Sequence, residues 1–210
     1  MIAGVAGGRR ITVPAGRDTR PTSDRAREGL FATVMSLTGS LAGKRVLDLY
    51  AGSGAVGLEA LSRGAGHVLL VESAAPALRV IRANVASLGL PGAVVSADRV
   101  ERMLTRGPAG DPYDVVFADP PYAMADADVT AMLTALARHG WLAGAAAAGP
   151  GRSSTAAAGP GQSSGALVVV ERATRSGPLA WPDGYQPDRA RRYGEATFWY
   201  GLALRRVPDE

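Results

Sequence analysis

The sequence of 210 residues predicts a doubly wound α/β fold, in which helices cover both faces of a mainly parallel sheet. Short apolar runs alternate with helical segments of about 10 to 15 residues, a pattern typical of strands that are buried on both faces. A glycine-rich turn follows the first of these runs and opens a helix. No apolar run approaches the roughly 20 residues that a membrane-spanning helix needs. We therefore expect a globular protein with one full-sized core.

Five apolar runs are the predicted parallel strands, at residues 45–51, 67–73, 93–98, 114–118 and 166–173. The helices between them have apolar residues at helical spacing, at residues 55–64, 76–89 and 99–107 and around 129–136. Crossover connections between parallel strands are right-handed, which winds the sheet in both directions from its centre. The segment 185–206 has no helical pattern, and we expect it to form a hairpin that adds an antiparallel edge.

The first 40 residues precede this pattern and are predicted to form a separate extension. Weak alternation around the sequence GGRRITVP predicts a small β-hairpin within residues 1–20. Residues 22–37 have apolar side chains on one helical face and predict a helix. The extension therefore combines a hairpin with a helix.

A tandem repeat interrupts the main domain. AAAGPGRSST (146–155) is followed directly by AAAGPGQSSG (156–165). Small and polar residues with proline and glycine cannot bury enough apolar surface to order the chain. We therefore predict that the insertion at 144–165 is a disordered loop within a main domain at 41–206, which a short tail at 207–210 follows.

The composition excludes several kinds of chemistry. The chain has no cysteine, which rules out disulfides and thiolate metal ligands, and only two histidines, His67 and His139. These leave little material for a histidine metal centre or a catalytic triad, so we expect no metal. The N-terminus lacks the pattern of a secretory signal, and we expect a cytoplasmic protein that does not enter a membrane.

The positive charge is concentrated near the N-terminus. The formal net charge is +4, and residues 1–40 alone contribute +3, from six arginines against three carboxylates. A GC-rich coding sequence also yields many arginines, so the position of the charge is more informative than its total. A basic extension of this kind is typical of a surface that meets the phosphates of a nucleic acid.

A glycine fingerprint follows the first predicted strand. Gly52, Gly54 and Gly57 have the spacing of a dinucleotide-binding turn, and Glu72 lies 20 residues after Gly52, at the end of the second strand. Glycines let the backbone approach a nucleotide closely, and the Glu72 carboxylate can accept hydrogen bonds from two ribose hydroxyls. Any cofactor with an adenosine could use this arrangement, and a nicotinamide oxidoreductase is one alternative.

Asp48 argues against a bound pyrophosphate. It lies four residues before Gly52, where a carboxylate would repel phosphates near the helix N-terminus. The same carboxylate suits S-adenosylmethionine, which has a positive sulfonium and a positive ammonium but no phosphate. Asp98, at the end of the third strand, could accept a hydrogen bond from the adenine amino group. Ligands of parallel sheets bind at this carboxyl edge, so the acidic residues there favour S-adenosylmethionine as the cofactor.

The sequence DVVFADPPYAM (114–124) ends a buried strand on a carboxylate, two prolines and an aromatic ring. In a doubly wound sheet the fourth strand lies beside the first, which brings Asp119 next to the cofactor site. The Asp119 carboxylate and the Pro120 carbonyl could accept both protons of an exocyclic amino group and hold its nitrogen close to a methyl donor. Pro120 and Pro121 preset the turn, and Tyr122 offers a face on which a flipped base can stack.

These motifs resemble those of a known family. Asp-Pro-Pro-Tyr is the fourth motif of amino-methyltransferases that act on adenine N6, guanine N2 or a glutamine amide. With VLDLYAGSGAVGLEALSRGA (46–65) and RPTSDRAREGLF (20–31), the chain resembles the RsmD-type bacterial 16S rRNA guanine-N2 methyltransferases over residues 1–143 and 166–206. The resemblance implies a Rossmann-like class I methyltransferase fold with a mixed seven-stranded sheet. It also implies methylation of a guanine in the P-site hairpin loop of 16S rRNA, on the 30S small subunit or an assembly intermediate.

The resemblance also implies roles for individual residues. The guanine would be held by Asp119, Pro120, Pro121 and Tyr122. The residues that would hold S-adenosylmethionine lie on or beside the glycine turn and at the strand ends: Asp48, Tyr50, Gly52, Ser53, Gly54, Gly57, Glu72 and Asp98. The chain departs from the family pattern at Tyr50 and in its repeat insertion.

The predicted RNA contacts are mostly arginines of the N-terminal extension and of the C-terminal hairpin: Arg9, Arg10, Arg20, Asp24, Arg25, Arg27, Arg191 and Arg192. For any single one of these residues a structural role is about as plausible, because Asp24 could cap the helix and Arg27 could pair with Glu28 or face the solvent. We expect a monomer whose partner is 16S rRNA or the 30S particle.

Three further functions are open at this point. A DNA adenine-N6 methyltransferase would need a region that reads the major groove, for which an extension of 40 residues offers little. A glutamine methyltransferase usually has asparagine in place of Asp119. A non-catalytic RNA-binding protein would keep its RNA affinity after Asp119 is replaced.

Overall fold

A computed structural model describes residues 1–13, 24–144 and 165–204. Three of the predicted features therefore lie outside the described residues: Arg20, the tail at 207–210 and, apart from Gly165, the tandem repeat.

A seven-stranded sheet in the order β3-β2-β1-β4-β5-β7-β6 forms the centre of the fold. Its first five strands are parallel to one another: β1 (Arg45–Leu49), β2 (His67–Glu72), β3 (Ala93–Ala97), β4 (Val115–Ala118) and β5 (Leu167–Ala173). The last two, β6 (Tyr185–Tyr193) and β7 (Ala196–Ala203), form the antiparallel edge. The predicted mixed sheet is confirmed, and β4 does lie beside β1.

The helices of the described residues connect these strands or precede them: α1 (Asp24–Thr38), α2 (Ala55–Ser62), α3 (Ala75–Leu88), α4 (Val100–Leu104) and α5 (Asp126–Arg138). Gly89 ends α3 as predicted, since it has a φ of 61° and its N–H donates to the Val85 carbonyl at 3.0 Å. His139 follows the last turn of α5 and His67 begins β2, so neither histidine reaches the carboxyl edge of the sheet.

The two faces of the sheet have separate apolar cores. Alternate residues of a strand point to opposite faces. Val46 and Phe117 belong to one core, which includes side chains of α1, α2 and α3. Leu47 and Val116 belong to the other core, which includes side chains of α4 and α5. The sheet is therefore covered on both faces, as the continuous apolar runs of its strands predict.

The N-terminal segment (residues 1–13) does not form the predicted β-hairpin. Its one regular element is a 3₁₀ turn at Gly4–Ala6. The Ile2 and Ala3 N–H groups donate instead to the carboxylate of Glu59 on α2, at 2.8 and 3.0 Å. The hairpin prediction is wrong for these residues because partners 56 and 57 residues along the chain replace the hydrogen bonds of a β-ladder.

Candidate active site

Four carboxylates lie at the carboxyl edge of the parallel strands. Asp48 pairs in register with Leu70 on β2 and with Phe117 on β4, so these residues share one face of the sheet. Two residues further along each strand, on the same face, are Glu72 and Asp119. The register also pairs Phe117 with Val169 on β5. Glu171 lies two residues after Val169 and is therefore on this face too. The face is the one that α1, α2 and α3 cover.

The glycine turn is held against β2 by Glu72. Gly52 has a φ of 56°, a conformation that favours glycine, and its N–H donates to Glu72 Oε2 at 3.0 Å. The other oxygen of Glu72 accepts the N–H groups of Ser73 and Ala74, each at 2.7 Å. The backbone therefore fixes the orientation of this carboxylate beside the glycine turn.

Gly54 and Gly57 shape the start of α2. Gly54 precedes the helix with a φ of 78°. A Cβ on Gly57 would lie 2.5 Å from Leu70 Cδ2 and 2.8 Å from Val68 Cγ1, which is closer than real Cβ contacts. Glycine at this position lets α2 pack tightly on β2, which is the general role of the third glycine of the fingerprint.

Asp48 is buried beneath the glycine turn. Its Oδ2 accepts the Gly57 N–H at 2.8 Å, one of the N–H groups that the first turn of α2 leaves unpaired. Burial raises the pKa of Asp48 from 3.8 to about 7, and the Glu72 charge acts in the same direction, against the Gly57 hydrogen bond. Between these two pH values the folded protein binds one more proton than the unfolded chain, so stability falls as the pH rises across this interval. A positive ligand beside Asp48 would favour the ionised form.

Asp119 begins the Asp-Pro-Pro-Tyr turn after β4. Its N–H donates to the Leu49 carbonyl on β1 at 3.3 Å, which continues the ladder by one residue, while its side chain opens into a cleft. The turn closes where the Met124 N–H donates to the Pro121 carbonyl at 2.8 Å. The surrounding protein takes away part of the water around the Asp119 carboxylate, and this loss, followed by the charges of Glu171 and Asp48, raises the pKa of Asp119 well above its ordinary range.

Two adjacent residues of β5 belong to the site, although the sequence reasoning did not include them. Glu171 is buried beside Asp119 and raises its pKa. Arg172 points to the opposite face, where it donates to the Met124 carbonyl at 3.0 Å and to Asp126 Oδ1 at 2.8 Å. It therefore anchors the loop that follows Asp-Pro-Pro-Tyr. The signal was present in the sequence LVVVERA, since a charged pair ends an apolar strand there, as a carboxylate does after β4.

Tyr50 links the glycine turn to the other side of the cleft. It has a φ of 59°, which is uncommon for a residue with a side chain. Its hydroxyl contacts Glu101 Oε1 at 3.1 Å and Met124 Sδ at 3.9 Å. Burial, followed by the Glu101 charge, raises the pKa of Tyr50, so the hydroxyl keeps its proton at neutral pH.

Asp98 lies just before α4 and accepts hydrogen bonds from residues in and beside that helix. Its Oδ1 accepts the Arg99 N–H at 2.7 Å and the side chain of Arg102 at 2.6 Å, and its Oδ2 pairs with Arg106. Burial favours the neutral form of Asp98, but these donors outweigh it and hold the pKa of Asp98 below its ordinary value. A charged carboxylate at the edge of the cleft can still accept an amino proton through its remaining lone pairs.

The predicted RNA-contacting residues divide into three groups. Arg9 lines the cleft, but its guanidinium donates to the Leu88 carbonyl at 2.7 Å and to that of Ser87, and so caps the end of α3. Arg27 is buried and pairs with Asp24 at 2.7 Å, so its structural partner is Asp24 rather than the expected Glu28. The remaining described residues of the set are exposed: Arg10, Arg25, Arg191 and Arg192.

A cleft of about 2100 Å³ joins these parts along the carboxyl edge of the sheet. It is larger than the roughly 300–1,000 Å³ that one small ligand usually fills. All four predicted catalytic residues line it, and so do Asp48, Tyr50, Gly52, Ser53, Glu72 and Asp98. Gly54 and Gly57 lie behind its wall, and Arg25 and Arg191 lie outside its lining. The cleft has room for a nucleoside cofactor and a second nucleotide.

The described residues contain no group of three or more acidic or histidine side chains placed to hold a metal ion. None of the helices in the described ranges is long and apolar enough to cross a membrane.

The sheet order, the glycine turn with Glu72 and the Asp-Pro-Pro-Tyr turn beside it define a class I S-adenosylmethionine-dependent methyltransferase fold. The magnesium protoporphyrin IX methyltransferase of Synechocystis, solved with bound S-adenosylmethionine, shares this fold. It has a TM-score of 0.59 at 13% identity and covers 86% of this chain and 79% of its own.

A family model described as conserved hypothetical protein 95 matches residues 1–201, and the chain belongs to this family, the RsmD family. The ribosomal RNA small subunit methyltransferase D of Escherichia coli K12 is 36% identical over 198 residues, which are 94% of this chain and 86% of that protein. A solved Escherichia coli methyltransferase has a TM-score of 0.75 and 27% identity, and covers 98% of each chain. The predicted family is confirmed, and the protein is a methyltransferase.

Proposed function

We propose that this protein transfers the methyl group of S-adenosylmethionine to the exocyclic N2 of a guanine in 16S rRNA, on the small subunit or its assembly intermediate. The observation that carries the proposal is the position of Asp119. Its carboxylate lies one strand from Asp48 and opens into the same cleft as the glycine turn. An acceptor for an amino group is thereby adjacent to a site for a positively charged cofactor.

The residues of the first half of the cleft fit the cofactor. Glu72 has both oxygens oriented by backbone N–H groups and faces the glycine turn, where ribose hydroxyls can donate to it. Asp48 is a buried carboxylate whose ionised form a nearby positive charge would stabilise. Bound here, S-adenosylmethionine would supply a methyl carbon made electrophilic by its positive sulfur. The Asp98 carboxylate, ionised at neutral pH, is the acceptor for the adenine amino group.

The Asp-Pro-Pro-Tyr turn positions the second substrate. The Asp119 carboxylate and the Pro120 carbonyl accept the two amino protons of the guanine, which directs the nitrogen lone pair towards the methyl carbon. A nitrogen–carbon bond forms as the carbon–sulfur bond breaks, the electron pair stays on sulfur, and one amino proton leaves. The raised pKa of Asp119 makes its carboxylate a stronger base than an ordinary one, so it can accept that proton as the positive charge passes to the amino nitrogen.

The rRNA substrate is supported by the relatives and by the charge around the cleft. The Escherichia coli relative is named for the small ribosomal subunit RNA. Arg10 and Arg192 are exposed at the rim of the cleft, and Arg175 also lines it, so phosphates on either side of a flipped guanine would meet positive charge. Tyr122 is 40% exposed in the same cleft and offers its ring to the base.

Mapping N2-methylguanine in 16S rRNA tests the proposal. Ribosomal RNA from a strain that lacks the protein should contain one N2-methylguanine fewer than RNA from the parent, and the purified protein should restore it on 30S particles. Asp119→Ala should lower the transfer rate by at least about a hundredfold and leave the affinity for S-adenosylhomocysteine within about threefold of the parent. Asp183→Ala is the matched control, because Asp183 is exposed and lies outside the cleft lining. Methylation that Asp119→Ala leaves intact, or methyl groups found in DNA rather than rRNA, would refute the proposal.

A further inference from the structure

Asn84 connects two parts of the protein that are distant in sequence. It lies on α3, and only 3% of its surface is exposed. Its Oδ1 accepts the Thr12 N–H at 2.9 Å, and its Nδ2 donates to the Thr12 carbonyl at 2.8 Å. The same Nδ2 donates to the Ser53 carbonyl at 2.9 Å. One buried amide thus joins the N-terminal segment to the glycine turn.

The N-terminal segment is docked along α2 and α3 by contacts of the same type. Its first residues donate to the buried Glu59, and the Ala6 N–H donates to the Ser62 hydroxyl at 2.9 Å. Further along, Arg9 caps the end of α3. These contacts are between side chains and backbone groups rather than within a sheet, so a few partners determine where the segment lies.

The docked segment forms part of the wall of the cleft. Residues 8–11 and Val13 line the cleft together with Gly52 and Ser53 of the glycine turn. Thr12 is absent from this lining and contacts Asn84 instead. The surface proposed to meet RNA, which includes Arg10, is therefore only a few residues from the hydrogen bonds that hold the Ser53 carbonyl.

We propose that Asn84 is a positioning residue that couples the docking of the N-terminal segment to the conformation of the glycine turn, so that rRNA and the cofactor each increase the affinity for the other. The proposal rests on the proposed function and adds a link between its two substrates. RNA bound at the cleft rim holds the N-terminal segment on α3, so that Asn84 retains both of its hydrogen bonds to Thr12. The remaining N–H of the Asn84 amide then stays directed at the Ser53 carbonyl and holds the glycine turn in place. By linkage the increase in affinity is the same factor in both directions.

The coupling is measured as the ratio of two affinities for S-adenosylhomocysteine, which binds without turnover. Calorimetry gives the affinity with the full-length protein alone and in the presence of 30S particles from a strain that lacks the protein. For the parent we expect the particles to increase the affinity about five- to tenfold, at the lower end of typical coupling between sites. Asn84→Ala should reduce this ratio to about one, since it removes both sides of the connection.

A second variant, Thr12→Pro, tests the coupling without a change in α3, the helix that contains Asn84. Proline has no N–H, so of the three Asn84 hydrogen bonds the substitution removes only the one from residue 12, while Asn84 and its bond to Ser53 stay in the protein. We expect it too to bring the ratio to about one. Ser87→Ala is the control, because this exposed residue lies on the same helix and contributes only its carbonyl oxygen to Arg9. It should keep the parental ratio.

The outcomes separate this inference from the proposed function. A parental protein that binds S-adenosylhomocysteine with a ratio of one, or a Thr12→Pro variant that keeps the parental ratio, overturns the coupling and leaves the methyl transfer untouched. A parental protein that binds no S-adenosylhomocysteine overturns the proposed function instead.

Discussion

Gly57 allows a quantitative test of how the glycine turn is built. Gly57→Ala adds a Cβ that would lie 2.5 Å from Leu70 Cδ2, 2.8 Å from Val68 Cγ1 and 3.0 Å from Asp48 Oδ2. Overpacking of this kind costs about 1–3 kcal/mol. Alanine has a helix propensity about 1 kcal/mol better than glycine, which offsets part of that cost. We expect a net loss of roughly 1 kcal/mol, or about 2–4 °C in the unfolding temperature for a chain of this length.

Cofactor affinity should fall more clearly than stability. The added methyl group forces α2 away from β2, which strains the hydrogen bond between the Gly57 N–H and Asp48 at 2.8 Å. Loss of about one buried hydrogen bond corresponds to a five- to tenfold weaker affinity for S-adenosylhomocysteine, measured by calorimetry.

Gly110→Ala is the matched control for this prediction. The nearest atom to a Cβ at Gly110 is Arg45 Nη2, at 4.0 Å, so we expect unchanged cofactor binding and equal or slightly higher stability. A Gly57→Ala protein that unfolds above the parental temperature and binds the cofactor normally would show that helix propensity outweighs packing here. It would refute the reasoning about this glycine.

Two further predictions concern the charged residues of the site. Asp48→Asn should raise the unfolding temperature at pH 8 but not at pH 4, because the rise of the Asp48 pKa from 3.8 to about 7 corresponds to roughly 4 kcal/mol of destabilisation above pH 7. A pH-independent difference in calorimetric scans would contradict the burial argument, and the variant should also bind the cofactor more weakly. Arg172→Met should release the loop after Asp-Pro-Pro-Tyr and so lower kcat with rRNA, while the affinity for S-adenosylhomocysteine stays unchanged. The variant should lose only about 1–2 kcal/mol of stability, because the partner of Arg172, Asp126, is 71% exposed. Arg138→Met, at the other end of α5, is the control, and an unchanged kcat in Arg172→Met would disprove the anchoring role.

The parallel part of the fold could be predicted because its signals are local. Each buried strand is a continuous apolar run, and Asp119 stands out as a carboxylate at the end of such a run. The register then follows from the topology, because neighbouring parallel strands bring their carboxyl ends to one edge. The same logic applied to LVVVERA would have placed Glu171 and Arg172 in the site.

The N-terminal segment could not be predicted in this way. Its alternating pattern suits a hairpin, but the partners of its backbone are Glu59 and Asn84, which are 56 to 72 residues distant in sequence. Arg9 and Arg27 appear equally basic in the sequence as the exposed Arg10. In the structure Arg9 binds the carbonyl groups at the end of α3, and Arg27 pairs with the Asp24 carboxylate. Only the tertiary structure brings the α3 carbonyls to Arg9.

The ends of the repeat-bearing insertion are closed by the sheet itself. The Ala166 N–H donates to the Ala143 carbonyl at 2.9 Å, so the chain leaves and re-enters at one point. That point lies at the amino end of the parallel strands, across the whole sheet from the cleft. For the experimenter, the same position is a natural attachment point for a fluorophore or an affinity tag.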